Sequence, residues 1–367
     1  MTRPTNHLLI GDALKTLHTL PDGSIDMCLT SPPYFRLRDY DASGQLGLEE
    51  SVDAWAHNIR QITQEIHRVL VPTGTLWLNL GDTYVTHPRQ GAPPKSLALA
   101  PERVARLLQD DGWILRNKII WAKPNPMPTS VRDRLTATHE VIYVFAKQSR
   151  YFFDLDSIRV PHCSKPGTPP PGRTRRPARE QWRGPNADST TGLAALKARG
   201  MVGHPLGKNP GDVWNIATAP GKGTHHATFP EPLAARCILA GVPEARCVTC
   251  KKPHTRALHR LGETATRLAL AATCTHQDGT EPGIVLDPFM GSGTTAVTAE
   301  RLHRQWVGIE LNPDFAREAL DRINDAQASP EARAGALAGV MRIGESGSIP
   351  EPRRPQAPRS CHDDTTD

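Results

Sequence analysis

Thr30-Ser31-Pro32-Pro33-Tyr34 follows the apolar run Ile25 to Leu29, so a hydroxyl, two prolines and an aromatic ring stand where a strand should end. In open α/β sheets that edge is where ligands bind. Two consecutive prolines fix φ and withdraw two backbone donors, which leaves carbonyls here to accept hydrogen bonds from something else. An amino group is a natural guest, although a buried turn with Tyr34 as a packing residue is the plain structural alternative. A second run, Asp287-Pro288-Phe289-Met290-Gly291-Ser292-Gly293-Thr294-Thr295, also lies between an apolar strand and a helix, and Glu310 ends the next strand. Gly291-x-Gly293-x-x-Ala296 satisfies a relaxed dinucleotide fingerprint, so the glycines alone do not choose between NAD and another adenosine ligand. The acids narrow the choice. Glu310 suits ribose hydroxyls, while Asp287 beside the glycine loop would repel a pyrophosphate and favours a ligand with a positive group, such as a methionine-derived sulfonium with its ammonium.

Cys247-x-x-Cys250 and Cys274-x-His276 bring four borderline or soft ligands into about thirty residues. A tetrahedral structural zinc fits them, with His254 and His259 as competitors for the fourth position; the alternative is a set of unmetallated thiols in a variable insertion. Arg173, Arg175, Arg176, Arg179 and Arg183, with Trp182 among them, form a basic run suited to phosphate contacts or to a solvated loop. Cys28, inside the strand that leads to Thr30, reads as a small core residue.

The elements that must position these residues follow from pattern. Between residues 7 and 155, short β-rich runs (HLLIG, IDMCLTS, GTLWLNL, ILRNKIIWAK, EVIYVFAK) alternate with helical segments, the signature of an α/β unit with a largely parallel sheet. Val52, Trp55, Ile59, Ile62, Ile66 and Val69 recur at three and four residues, one face of an amphipathic helix. From 161 to 225 Pro, Gly, Arg and Ser dominate without a clear period, which predicts a long functional loop or small irregular domain. The α/β pattern resumes at 281 with GIVLDPF, GSGTTAVTAERLHR, QWVGIEL and PDFAREALDRINDA. Beyond about 329 the chain is polar and Pro-rich, the composition of a disordered tail.

The 367 residues carry 44 Lys+Arg against 38 Asp+Glu, a formal charge of +6, with 38% hydrophobic residues. Mean hydropathy is −0.44 and the pI is near 9.0. No apolar run approaches the roughly 18 residues a membrane helix needs, and MTRPTNHLLIGDAL shows no signal-peptide pattern. Seven cysteines, an odd number, argue against a disulfide scaffold and for a reducing, cytoplasmic setting. The basic balance is compatible with nucleic acid without requiring it.

Taken together, TSPPY at 30–34 and DPFMGSGTT at 287–295 resemble the catalytic and methyl-donor motifs of the amino-methylating DNA methyltransferases, which modify cytosine N4 or adenine N6. GDAL at 11–14, GTLWLNLGD at 74–82, WAKPNPMPTSVRDRLTATHEVIYVFAK at 121–147 and HATFPEPLAARCI at 226–238 extend the resemblance over most of residues 7–325. The catalytic motif precedes the donor motif, as in the circularly permuted β-type arrangement of that family. The resemblance implies a Rossmann-like fold that binds S-adenosylmethionine, with residues 1–160 as the N-terminal part of the catalytic domain and 226–246 with 281–328 as its donor-binding part. It places target recognition in 161–225, leaving 247–280 as a zinc-knuckle insertion and 329–367 as the tail. Ser31, Pro32, Pro33 and Tyr34 would then be catalytic, Tyr34 with Phe35 stacking a flipped base. Asp12, Thr30, Phe229, Pro230, Asp287, Pro288, Phe289, Gly291, Ser292, Gly293, Thr294, Thr295 and Glu310 would line the donor site, with Asp12 near the adenine end. Double-stranded DNA is the implied partner, with a cognate restriction endonuclease and a monomeric or homodimeric enzyme. Ser at position 31 tips the expected base to cytosine, with adenine as the alternative. An NAD-dependent oxidoreductase would leave TSPPY without a role, and a DNA-binding protein without catalysis would not need Ser31, Tyr34, Asp287 and Glu310.

Overall fold

The computed structural model describes residues 5–40, 42–162, 204–218, 229–261 and 264–328. The five arginines of the basic run, most of the 161–225 zone, residues 226–228 of HATFPEPLAARCI and the 329–367 tail lie outside the described residues.

An eight-stranded sheet forms the centre, in the order β1-β12-β11-β2-β3-β5-β4-β6. Its strands are β1 (His7–Ile10), β2 (Ile25–Thr30), β3 (Leu70–Leu80), β4 (Ile114–Ala122), β5 (His139–Ala146), β6 (Val213–Asn215), β11 (Ile284–Asp287) and β12 (Gln305–Glu310). Pairings from β1 through β3 are parallel, whereas β5 runs antiparallel to both β3 and β4. The expected largely parallel sheet therefore contains one reversed strand, β5, in the β4–β5 hairpin. Its consequence is positional: the start of β5 and the end of β4 arrive at the edge where β2, β3 and β11 end.

Period-2 alternation assigns the faces. Val141, Tyr143 and Phe145 of β5 join one core with Leu76 and Leu78, while Ile142 and Val144 join the other with Trp77. Helices α1 (Ala13–Leu17), α2 (Val52–Val69) and α3 (Ala100–Asp110) cover the first face. Helices α4 (Glu231–Gly241), α5 (Thr294–Arg301) and α6 (Pro313–Ala328) cover the second. The α2 stripe read from spacing is buried at all six positions, and Ser51 caps the helix by accepting from the Ala54 N–H. No helix among the described residues is long and apolar enough to cross a membrane.

Two local features depart from expectation. The irregular 161–225 zone contributes β6, a three-residue edge strand that pairs in parallel with β4 through Trp121 and Trp214. The 247–280 insertion carries a hairpin, β8 (Thr255–Leu261) with β9 (Thr264–Ala271), framed by β7 (Arg246–Cys247) pairing β10 (Thr280–Glu281). Neither element has an apolar run that would announce it.

Candidate active site

The parallel strands diverge between β11 and β2. From β11 the chain crosses through α5 to β12 on one side, and from β2 it crosses through α2 to β3 on the other, so the loops leaving these two strands part and open a crevice. A cavity of about 270 Å3 occupies it. Asp12, Ser31, Pro33, Phe229, Asp287, Pro288, Phe289, Gly291, Thr294 and Glu310 of the expected residues line its wall. Sequence reasoning missed Tyr40, Leu46, Asn58, Gln61, Ile62 and Phe315, which line it too. Asn58 and Gln61 sit on α2 within one helical turn of Ile62, on the polar border of the apolar stripe that contains it.

Asp287 is 2% exposed and accepts from Thr30 Oγ1 at 2.7 Å, Thr295 Oγ1 at 2.6 Å and the Phe289 N–H at 3.1 Å. Burial raises its pKa from 3.8 to about 6, against the pull of those hydrogen bonds. No cationic side chain among the described residues pairs with it. Glu310 accepts from the Gly291 N–H at 2.7 Å and the Asn312 N–H at 2.9 Å, and burial raises its pKa as well. Asp12 caps α1 through the Lys15 N–H at 2.9 Å while facing the cavity.

Five expected donor-site residues do not line the cavity. Thr30 and Thr295 stand behind it as the clamps on Asp287. Gly293 has φ +82°, and a Cβ there would come within 3.0 Å of Ala319 Cβ, so this glycine admits α6 rather than a ligand. Ser292 is taken by Arg322, which donates to its carbonyl and, at 2.7 Å, to its hydroxyl. Pro230 opens α4, its carbonyl accepting from the Leu233 N–H at 3.0 Å.

The TSPPY segment is tied down from two directions. Trp55 Nε1 of α2 donates to the Pro33 carbonyl at 2.9 Å, so this carbonyl is already used. Asn79 of β3, 1% exposed, directs Nδ2 at Tyr34 Oη (2.8 Å), at Glu140 Oε2 (2.8 Å) and at Ser31 Oγ (3.3 Å). Ser31 Oγ lies 3.0 Å from Tyr34 Oη, which donates to Glu140 Oε2 at 2.6 Å, and Lys123 binds the other Glu140 oxygen. A hydrogen-bonded chain thus runs from Ser31 through Tyr34 to a carboxylate. Burial, then the Glu140 charge, holds the Tyr34 pKa well above its usual value. Gly81 makes room for the Tyr34 ring, since a Cβ there would fall 2.6 Å from Cε2. Phe35, expected beside Tyr34 as a stacking surface, is 1% exposed and packs in the core under α2, so it offers no face.

The crevice thus gathers a buried carboxylate, a second carboxylate at the end of β12 and the Ser31 hydroxyl. The DNA methylase family model matches residues 25–321. The chain belongs to the DNA methylase family. Type II methyltransferase M.XycI of Xanthomonas campestris pv. cyanopsidis is 35% identical over 338 residues, 86% of this methylase and 87% of that protein. Type II methyltransferase M.SmaI of Serratia marcescens is 33% identical over 337 residues, 86% and 90% of the two chains. The solved PvuII DNA methyltransferase, named as cytosine-N4-specific, aligns with a TM-score of 0.54 over 93% of this methylase and 94% of its own chain. At 18% identity that likeness is one of fold. S-Adenosylmethionine is the cofactor of these methyltransferases.

Far from the cavity, Cys247, Cys250, Cys274 and His276 converge, their ligand atoms all within 4.8 Å of one another. His254 and His259 lie outside this group.

Proposed function

We propose that the protein is a Type II DNA methyltransferase that transfers a methyl group from S-adenosylmethionine to N4 of cytosine in duplex DNA. The observation that carries the reading is Ser31: its hydroxyl lines the donor cavity and heads the Tyr34–Glu140 hydrogen-bond chain. The walls fit a cationic adenosine ligand. Asp287, paired with no cation among the described residues, suits the ammonium, Glu310 suits the ribose hydroxyls, and Ile62, Phe289 and Phe315 offer apolar surface for a flat base. Bound there, the donor supplies an electrophilic methyl on a sulfonium.

The exocyclic amine of a base is a poor nucleophile because its lone pair is delocalised into the ring. Ser31 Oγ accepts a hydrogen bond from that amine, drawing it towards sp³ geometry as the N–C bond forms and the S–C bond breaks. The amine's departing proton then has a route, from Ser31 to Tyr34 to the Glu140 carboxylate. Extrusion of the base from the duplex is needed for the amine to reach the methyl, and the half-buried Tyr34 ring is the stacking surface. Ser31 also favours cytosine, by resemblance to the SPPY motif of cytosine-N4 enzymes. As a Type II enzyme it would protect the sites a partner endonuclease cuts, with Arg173, Arg175, Arg176, Arg179 and Arg183 on the DNA phosphates.

The test is methylation of mixed-sequence duplex DNA by the purified protein, followed by nucleoside mass spectrometry. N4-methylcytosine sustains the reading, N6-methyladenine replaces the base while keeping the family chemistry, and neither product overturns it.

A further inference from the structure

The 247–280 insertion has no core of its own. Among its described residues only Cys247 and Lys251 are buried, and none belongs to either hydrophobic cluster of the protein. The β8–β9 hairpin alternates between exposed and half-exposed side chains, with Leu268 46% exposed. A two-stranded hairpin of this kind is marginal in water unless something staples it. The two ends of the insertion nevertheless meet closely. Val248 N–H donates to Gly279 O at 3.3 Å, Thr249 Oγ1 to Asp278 Oδ2 at 2.5 Å, and Thr273 Oγ1 to Pro253 O at 2.7 Å. At the centre of this junction are the three sulfurs and the His276 ring.

We infer that Cys247, Cys250, Cys274 and His276 hold a structural zinc ion that fastens the insertion to the catalytic sheet. Ligand atoms about 2.3 Å from a tetrahedral zinc stand about 3.8 Å apart, so a group already within 4.8 Å closes on the ion with sub-ångström shifts. The Cys247-x-x-Cys250 turn is shaped for it: Lys251 adopts φ +59°, its N–H donates to Cys247 O at 3.0 Å, and the N–H groups of Thr249 and Cys250 point at the Cys247 sulfur. Three thiolates and one neutral imidazole complete a closed set with no open position for a substrate, the mark of a structural rather than a catalytic site. Binding replaces three S–H protons, which pass to solvent.

Location supports the same role. Cys247 ends β7, whose other residue, Arg246, is fully buried and donates to Asp26 Oδ2 at 2.6 Å and Ser24 O at 2.8 Å. Asp26 also accepts from the Ile284 N–H at 2.8 Å, so the knuckle grips the starting ends of β2 and β11, the edge opposite the cavity. Lys251 and Arg246 both bond Glu281 on β10, at 2.8 Å and 3.0 Å. The ion would stabilise the platform of the active site without touching substrate.

Metal analysis of full-length protein purified under reducing conditions should find one zinc per chain. Cobalt exchanged into the site should show the intense ligand-field absorption of a tetrahedral thiolate centre, and chelation should lower Tm. Cys250→Ser should lose the metal; because it also removes a staple of the insertion, His276→Cys serves as the second probe. It should keep the metal and strengthen the thiolate-to-cobalt charge-transfer band, whereas His259→Ala should change nothing. Metal-free protein that binds no added cobalt, or a His276→Cys spectrum identical to the parent's, would overturn the inference.

Discussion

Asp26 and Asp287 stand at opposite ends of two adjacent strands, about 10 Å apart along the strand direction. Both are buried, and burial raises each pKa to about 6. Their partners differ. Asp26 is met by the fully buried Arg246, so the chain itself supplies the counter-charge. Among the described residues Asp287 is met by two hydroxyls and one N–H and by no cation. A carboxylate with its own cation is a fastener, whereas one oriented by hydroxyls without a cation is left open to a cationic ligand, as the proposed function requires. The same sheet thus has a structural edge and a chemical edge, distinguishable by where the positive charge comes from.

The largest effect should come from breaking the fastener. Arg246→Met leaves Asp26 uncompensated and should cost about 3–5 kcal/mol in urea unfolding. Adding Asp26→Asn should restore much of it, with turnover per folded molecule unchanged in both variants. A loss of turnover in the folded double variant would show that the two edges are not separable.

Ser31→Ala tests the chemical edge in the opposite sense. Removing one acceptor for the amine should lower kcat by about 10²–10³-fold, while Tm and S-adenosylmethionine affinity stay at parental values. Glu140→Gln should also lower kcat, because the hydroxyl chain then ends on an amide that accepts a proton poorly.

Acidity sharpens the contrast further. Below about pH 6, Asp287 protonates and ceases to attract an ammonium, so donor affinity should fall by up to about tenfold per pH unit. The unliganded protein should respond oppositely. A carboxyl raised from 3.8 to about 6 holds its proton more tightly when folded, so its contribution to stability rises as pH falls from about 6 towards 3.8. Calorimetric titration of donor against pH checks the first sign, and Asp287→Asn should flatten the profile.

Much of this arrangement was legible in residue order. Apolar runs announced β2, β3 and β11, the α2 stripe was complete, and TSPPY with DPFMGSGTT located the crevice. What stayed hidden depends on neighbours remote in sequence. Glu140 and Lys123 come to Tyr34 only because β5 runs antiparallel, which apolar periodicity does not encode. Asn79 did leave a trace, a lone amide inside the apolar run GTLWLNL. Gly293 read as a ligand-facing glycine because a tight turn and a close helix approach select the same residue. The edge strand β6 is three residues long with Trp214 alone turned to the core, and the described residues of the β8–β9 hairpin show no buried face, so no pattern marks either element.

The smallest predicted effect bears on how α2 serves the chemical edge. Trp55 is buried in the first core, and its only polar atom donates to the Pro33 carbonyl at 2.9 Å, one residue before Tyr34. Trp55→Phe keeps an aromatic side chain in the core but leaves that carbonyl without its indole donor, a loss of about 1–2 kcal/mol. Because the carbonyl belongs to the segment that carries Ser31 and Tyr34, part of this loss should appear as a drop of a few-fold in kcat with donor affinity unchanged. A stability loss with kcat untouched would mean that Asn79 and Glu140 alone hold the loop, and that α2 contributes only its apolar stripe.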